Sequence, residues 1–228
     1  MSIYRYFIQP QLNVYNHSLV GYELLMKTYV KDHWEPPASF SDLPASLIAD
    51  TLVETAKKLS LKIGSVSVNV NRTQIIDGNL IAALIAAQGI LRPVRLVVEL
   101  IEEPVTPPVP MAQLLEVASV LTDLGIELSL DDVGTGDNTW PEIEPLLPFT
   151  SEMKYALQNG HEHLEMASAE EHVAFWQHLA QEHAFRFILE GVENEDDDYW
   201  ANKMALDLRQ GYYYGKPHLL KLAPDDPE

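Results

Sequence analysis

The stretch IELSLDDVGTG, Ile126 to Gly136, carries the pattern on which the fold prediction depends. Its first five residues form a short apolar-rich run typical of a buried strand, and two adjacent carboxylates, Asp131 and Asp132, follow it at once. A segment of helical period, Met111 to Leu124, precedes the run and is followed by Gly125, a residue suited to a helix C-terminus. A helix, a strand and polar residues at the strand end therefore follow one another here.

The same arrangement recurs along the chain. Strand-like runs are predicted at Val20 to Leu25, Ser65 to Val70, Arg95 to Leu100, Ile126 to Leu130, Met153 to Lys154 and Arg186 to Leu189. Seven polar sites fall at or just past the ends of such runs: Glu23, Asn69, Glu99, the pair Asp131 and Asp132, Lys154, Glu190 and Gln210. Successive sites are 20 to 46 residues apart, which brackets the ~30 residues per unit of an eight-unit barrel.

An α/β barrel explains this pattern best, because a barrel gathers one site from the ends of many strands. An open doubly wound sheet also alternates strands with helices, but it concentrates its ligand at a switch point. Helical patterns at Leu43 to Leu61 and Leu80 to Ala87 lie between the strand-like runs. Because no segment of the sequence has the composition of a linker, we expect a single domain over residues 1–228.

Composition limits the classes of partner. The chain has 15 basic and 34 acidic residues, a net charge of −19, and no basic patch, so we expect no binding to DNA or RNA. It has no cysteine, which excludes disulfides and thiolate chemistry and fits a reducing compartment. The first residues lack the apolar core of a signal peptide, and Leu80 to Ala87 is too short to span a bilayer. We therefore expect a cytoplasmic protein without membrane contact.

Two acidic runs are expected to have no chemical role. Asn194 to Asp198 is typical of a solvated helix start, and the acidic tail at about 223–228 is expected to be frayed. The strand-end sites differ, since six of the seven offer carboxylate or amide oxygens. A hard divalent cation prefers such donors, so these sites favour a metal centre.

In this order the motifs resemble those of the EAL domain family of cyclic di-GMP phosphodiesterases, over nearly the whole chain. The opening FIQPQLNVYNHSLVGYELLMK, residues 7–27, has Glu23-Leu24-Leu25 where the signature reads Glu-Ala-Leu. The further matches are SVNVN at 67–71, VVELIEE at 97–103, DDVGTG at 131–136, Lys154, EGVE at 190–193 and QGYYYGKP at 210–217. The resemblance implies a single, stand-alone EAL-like domain folded as a modified TIM-type (β/α)8 barrel.

The implied reaction is metal-dependent hydrolysis of cyclic di-GMP to linear pGpG, with Mg²⁺ or Mn²⁺ as cofactor and a homodimer as the assembly. By resemblance, Glu23, Asn69, Glu99 and Asp131 would hold one cation, and Asp131, Asp132 and Glu190 would serve a second cation or the water between the two. Lys154, Glu190 and Asp132 would be catalytic. Gln9, Lys27 and Gln210 would bind substrate, and Glu102 and Glu193 would stabilise loops.

Physical chemistry is consistent with those roles. Two cations about 3.5 to 4 Å apart can lower the pKa of a bridging water and stabilise both oxygens of an in-line displacement. A lysine can stabilise the charge of a phosphorane-like transition state without transferring a proton. Carboxylates crowded together without a cation should have raised pKa values. Each residue alone is an ordinary polar position, and their order along the chain is what favours a site.

Three departures from the family pattern keep other functions open. Ala156 stands where the family has an aspartate, and Lys27 stands where it has an arginine that grips a phosphate. Val133 and the run Asp137 to Thr139 alter the loop after the aspartate pair. A catalytically inactive cyclic di-GMP receptor is therefore one alternative, and an EAL-like protein-interaction module is the other. Tyr212 to Tyr214 are expected to fill the barrel with alternate rings facing out, although one ring could border a guanine.

Overall fold

The computed structural model describes residues 3–59, 63–158 and 166–227. Its strands are β1 Ile3–Asn13, β2 Ser18–Val30, β3 His33–Glu35, β4 Ser65–Val70, β5 Arg95–Leu100, β6 Glu127–Leu130, β7 Thr150–Ala156, β8 Arg186–Glu190, β9 Leu208–Arg209 and β10 His218–Leu219. Its helices are α1 Ala45–Leu59, α2 Arg72–Ile75, α3 Gly78–Leu91, α4 Met111–Asp123, α5 Trp140–Ile143, α6 Met166–Glu182 and α7 Glu195–Lys203, with a 3-10 turn at Glu144–Phe149.

Eight of the described strands close into a barrel. Strands β2 and β4 to β9 run parallel in chain order, and β1 closes the ring by pairing antiparallel with both β2 and β9. The remaining strands, β3 and β10, extend the sheet beside β2 and β1. This arrangement confirms the predicted modified (β/α)8 barrel. The reversed β1 is the modification, and sequence periodicity alone did not predict that strand.

Alternation along the strands separates the helical layer from the barrel interior. Val66, Val68 and Val98 are buried in the apolar core that also includes residues of α1 and α3. Positions two apart share a face of a strand, so polar residues such as Ser129 and Asp131, or Glu152 and Lys154, form columns on the opposite face. The parallel strands end at one edge of the barrel, which is where the polar sites meet.

Helix ends follow the sequence signals. Helix α4 ends at Asp123, and Gly125 adopts φ +77° while the amide of Ile126 donates to the Leu121 carbonyl, which closes a glycine-stopped helix end. Asn194 accepts the amides of Asp196 and Asp197, so the first acidic run is a capped helix start, as predicted. Within the described residues, no helix is both long and apolar enough to cross a membrane.

The expectation of a frayed C-terminal tail is wrong for Asp226. This residue is only 6% exposed, and its Oδ2 accepts the Arg5 Nε–H at 2.8 Å and the amides of Leu222 and Ala223 at 2.7 and 2.9 Å. The Arg5 hydrogen bonds lower the pKa of Asp226 to about 2 against the cost of burial. The sequence did not predict this contact, because Asp226 lies in an acidic tail and its partner, Arg5 on β1, lies near the other end of the chain.

Candidate active site

A buried lysine lies at the centre of the predicted site. Lys154, on β7, is fully buried, and its Nζ lies 2.6 Å from Glu190 Oε1, 2.9 Å from Glu99 Oε2, 3.3 Å from Asp131 Oδ1 and 3.5 Å from Glu23 Oε2. These carboxylates come from β8, from β5, from the residue after β6 and from β2. Closure of the barrel therefore brings five predicted site residues into one cluster, which we call the Lys154 cluster.

Neutral amides surround the Glu23 end of the Lys154 cluster. Asn69 Nδ2 donates to Glu23 Oε1 at 2.7 Å, and Gln210 Nε2 donates to Glu23 Oε2. The same Gln210 amine donates to Gln9 Oε1 at 3.3 Å, and Gln9 Nε2 donates to the Gly215 carbonyl. The structure thus places the predicted residues Gln9, Asn69 and Gln210 beside Glu23, at the point where β1 closes the barrel.

The pKa values in the cluster move in opposite directions. Burial raises the pKa of Glu23, but the Lys154 charge and the amide hydrogen bonds outweigh it, so the net pKa is lowered. Burial raises the pKa of Glu99 to about 8, and it raises the pKa of Glu190 well above its ordinary value, although Lys154 opposes both shifts. The pKa of Asp131 is raised for the same reasons. The site therefore holds more acidic groups than one lysine can keep ionised.

Lys154 itself stays protonated. Burial lowers the pKa of its amine, but the four carboxylates around it outweigh burial and raise the pKa well above its ordinary value. A charged amine with no proton to accept or release near neutral pH suits an electrostatic role.

Oxygen donors that fit a divalent cation remain in this cluster. Because Asn69 turns its amine toward Glu23, its Oδ1 is buried without a hydrogen-bond partner, and Glu99 Oε1 is in the same state. Such oxygens are suitable ligands for Mg²⁺ or Mn²⁺. No group of three or more His, Cys, Asp and Glu side chains in the described ranges is already placed to hold a metal ion. The Lys154 amine instead lies among the carboxylates.

Asp132 is not part of the Lys154 cluster, and its carboxylate lies beside the backbone of Ala156. Its backbone is left-handed, with φ +47°, and its carboxylate accepts the backbone N–H of Ala156 instead of pairing with Lys154. Burial and the neighbouring Asp131 raise the pKa of Asp132 to about 7. Asp132 Oδ1 is buried without a hydrogen-bond partner, so it remains available to a ligand.

Asn138 holds the loop that carries the aspartate pair. Its Nδ2 donates to the carbonyls of Leu100 and Asp131, at 2.8 and 2.6 Å, and its Oδ1 accepts from Arg72 at 3.2 Å. The Asn138 side chain is completely buried, and the Arg72 guanidinium also donates to the Asp137 carbonyl. Sequence reasoning treated Asn138 only as a departure from the family. The sequence feature that could have indicated this role is an amide side chain within a glycine-rich loop, because its NH2 group can donate hydrogen bonds to two carbonyls at once.

The two predicted loop-stabilising glutamates lie beside the site. The backbone carbonyl of Glu102 accepts the Asp137 amide at 2.8 Å, and Gly136 lies so close that a Cβ there would be 2.1 Å from that oxygen. Burial raises the pKa of the Glu102 carboxyl. Glu193 lines a cavity that also includes Glu23 and Glu190, and its backbone N–H donates to the Asp197 carboxylate. Side-chain roles for Glu102 and Glu193 remain predictions.

Two adjoining cavities open above the Lys154 cluster. The first, about 290 Å³, is lined by Gln9, Glu23, Ala156, Glu190, Gln210 and Tyr212, among others. The second, about 370 Å³, includes Lys27, Phe40 and Asn69. Leu25 and Tyr212 line both, so the two cavities form one groove. Tyr212 is 52% exposed, so this ring borders the groove.

Two of the positions that depart from the family pattern, Ala156 and Lys27, also line this groove. Ala156 pairs in register with Glu190 and contributes to the cavity wall without a carboxylate. Lys27 Nζ lies 4.3 Å from the centroid of the Phe7 ring, a cation–π contact at the edge of the second cavity. Gln158, which sequence reasoning missed, donates to the Gly191 carbonyl at 3.0 Å and lines the first cavity.

A family model for the EAL domain matches residues 4–217, and the chain belongs to that family. A search of curated proteins finds no match. Among solved structures, the cyclic di-GMP complex of PaMucR phosphodiesterase is 20% identical with a TM-score of 0.76, covering 94% of this chain and 92% of that one. The cyclic di-GMP-bound FimX EAL domain from Pseudomonas aeruginosa is 18% identical, with a TM-score of 0.76 and coverage of 99% and 93%.

Two further structures show the same fold. A standalone EAL protein from Vibrio cholerae O395, bound to cyclic di-GMP, is 20% identical with a TM-score of 0.75, covering 95% of this chain and 92% of that one. The EAL enzyme Bd1971, bound to cAMP and cyclic di-GMP, has 18% identity and a TM-score of 0.77 over 94% of this chain, which spans 62% of Bd1971. At these identities the likeness establishes the fold.

Proposed function

We propose that this protein hydrolyses cyclic di-GMP to linear pGpG with a bound divalent cation. The observation that carries the proposal is the Lys154 cluster, which gathers four carboxylates around one buried lysine, and two of them, Glu23 and Glu190, line the groove. Family membership and the cyclic di-GMP bound to EAL structures of the same fold support this substrate.

In this proposal, Glu23, Asn69, Glu99 and Asp131 hold one Mg²⁺ or Mn²⁺, and Asp131, Asp132 and Glu190 serve a second cation or the attacking water. When bound, the cations lower the pKa of that water and stabilise the attacking and leaving oxygens. Water adds at phosphorus as one P–O bond breaks, which opens the ring to pGpG. Lys154 stabilises the negative charge that develops on the phosphoryl oxygens.

The remaining residues position the substrate. Gln9 and Gln210 lie beside Glu23 and can orient a phosphodiester above the Lys154 cluster. Lys27 offers a second positive charge at the adjoining cavity, although it lacks the planar fork with which arginine binds a phosphate. We also propose that the protein works in the cytoplasm as a homodimer. Sedimentation at micromolar concentration tests the oligomeric state.

The first test is chromatographic detection of pGpG after incubation of the protein with cyclic di-GMP and Mg²⁺ or Mn²⁺. Glu23→Ala and Asp131→Ala should each abolish product, because each removes a proposed cation ligand. Glu116→Ala, which removes an exposed carboxylate on α4, is the matched control and should keep wild-type turnover. Unchanged turnover in both site variants would refute the assignment.

A receptor that binds cyclic di-GMP without cleaving it is the second candidate. It is favoured by Ala156, which leaves the cavity wall beside Glu190 without a carboxylate. Calorimetry with cyclic di-GMP and Ca²⁺ separates the possibilities. Binding without any pGpG under Mg²⁺ or Mn²⁺ would support the receptor, and the absence of binding would leave the interaction module.

A further inference from the structure

The position of Lys154 has a consequence for the metal-free protein. Its amine contacts carboxylates from four separate segments, within 2.6 to 3.5 Å, and its side chain is only 1% exposed. The other contacts made to Glu23 come from the neutral amides of Asn69 and Gln210. The positive charge seen in contact with all four carboxylates is therefore the lysine.

Such a cluster is costly without a counter-charge. Taking an ionised carboxylate out of water costs several kcal/mol even after the protein relaxes. Glu99 is fully buried, and Glu23, Asp131 and Glu190 have side chains no more than 16% exposed. Their mutual repulsion adds to that cost, since like charges a few ångströms apart interact strongly at low dielectric. One ammonium at the centre offsets both effects.

We propose that Lys154 is the resident counter-cation of the metal-free site, and that it competes with an entering divalent cation for the same carboxylates. Three of the groups it contacts, Glu23, Glu99 and Asp131, belong to the ligand set proposed for the first cation. The inference depends on the proposed function for that ligand set alone. In this proposal Lys154 lowers the free-energy cost of the carboxylate cluster when no metal is bound, and it weakens metal binding.

The test uses the full chain without nucleotide and compares wild type with Lys154→Met. In EDTA the variant should melt roughly 5 °C or more below wild type, because four carboxylates lose their counter-charge. Mn²⁺ should raise its melting temperature by more than it raises that of wild type. Calorimetry should show Mn²⁺ binding about tenfold tighter or more, because the competing ammonium is gone. Lys203→Met, which removes an ammonium lying over Tyr199, is the control and should match wild type.

A second variant covers the case in which Lys154→Met does not fold in EDTA. Lys154→Met combined with Glu23→Gln removes one positive and one negative charge, so metal-free folding should recover while Mn²⁺ binding weakens. If the double variant also fails to fold, charge balance is not the role of the lysine, and the proposal is wrong. The proposal is also wrong if Lys154→Met has the same melting temperature as wild type in EDTA, or if it binds Mn²⁺ no more tightly than wild type does. None of these readings depends on whether pGpG is formed.

Discussion

Ala156 lies opposite Glu190 across the β7–β8 pair, and it contributes to the wall of the cavity above the Lys154 cluster. Its backbone N–H still supports the Asp132 carboxylate. The position therefore keeps its structural contact while lacking the side chain that the family has there. At the residue scale, we expect this single methyl group to limit the rate of the proposed hydrolysis.

Ala156→Asp should raise the kcat for pGpG formation by about tenfold or more, the lower part of what a well-positioned acid or base contributes. The new carboxylate would face Glu190 and could orient the attacking water. Initial rates at saturating cyclic di-GMP and fixed Mn²⁺ provide the measurement. Ala112→Asp, which adds the same charge to the exposed face of α4, should change nothing. A kcat equal to or below that of wild type in Ala156→Asp would contradict the assigned role of this position.

At the scale of elements, the segment between β6 and α5 determines where the aspartate pair lies. Asn138 ties its own loop to the end of β5 through the Leu100 carbonyl and to the end of β6 through the Asp131 carbonyl. Arg72, at the start of α2, supports Asn138 from the other side. Three segments remote in sequence therefore hold one loop conformation, including the left-handed Asp132.

Asn138→Ala should lower the free energy of unfolding by about 2 to 4 kcal/mol, because two buried carbonyls lose their donor. It should also weaken Mn²⁺ binding, since the Asp131 backbone loses its anchor. Urea unfolding and calorimetry measure the two effects. Thr139→Ala is a close control, because the Thr139 side chain makes no capping hydrogen bond to α5. If Mn²⁺ affinity stayed unchanged despite lost stability, Asn138 would be structural only.

At the scale of the whole molecule, both ends of the described chain meet on β1. Arg5 pairs with Asp226, and Lys58 at the end of α1 donates to the Leu222 carbonyl at 2.8 Å. Strand β1 itself pairs with β2, β9 and β10. The C-terminal segment thus packs against β1, the strand that closes the barrel. The contribution of this segment to stability depends on the charge of Asp226.

Asp226→Asn should destabilise the protein by about 1 to 2 kcal/mol at neutral pH, because the charged hydrogen bonds to Arg5 are lost. The folded pKa of Asp226, about 2, lies below the ordinary 3.8, so this stability is complete above pH 3.8 and is lost as the pH falls toward 2. Urea unfolding of both proteins should show a constant difference from pH 7 to about 4 and a shrinking one below. Asp225→Asn, at the exposed neighbour, should show no difference at any pH.

The sequence by itself determined the barrel class and the residues of the Lys154 cluster. The apolar runs of β4, β5, β6 and β8 and the helical patterns between them are local signals, so their bounds agree closely with the structure. Polar residues at the ends of parallel strands meet at one edge of any barrel, so Glu23, Glu99, Asp131, Lys154 and Glu190 could be grouped before any geometry was known.

Only the tertiary structure decided how those groups contact one another. Three contacts could not be predicted because they join residues that lie far apart in the sequence or that have several possible partners. They are the antiparallel pairing of β1, the ion pair of Arg5 with Asp226, and the hydrogen bonds of Asn138 to the Leu100 and Asp131 carbonyls. No local period encodes such contacts. The placement of the Lys154 amine among four carboxylates is of the same kind, because it depends on the barrel closing around one buried side chain.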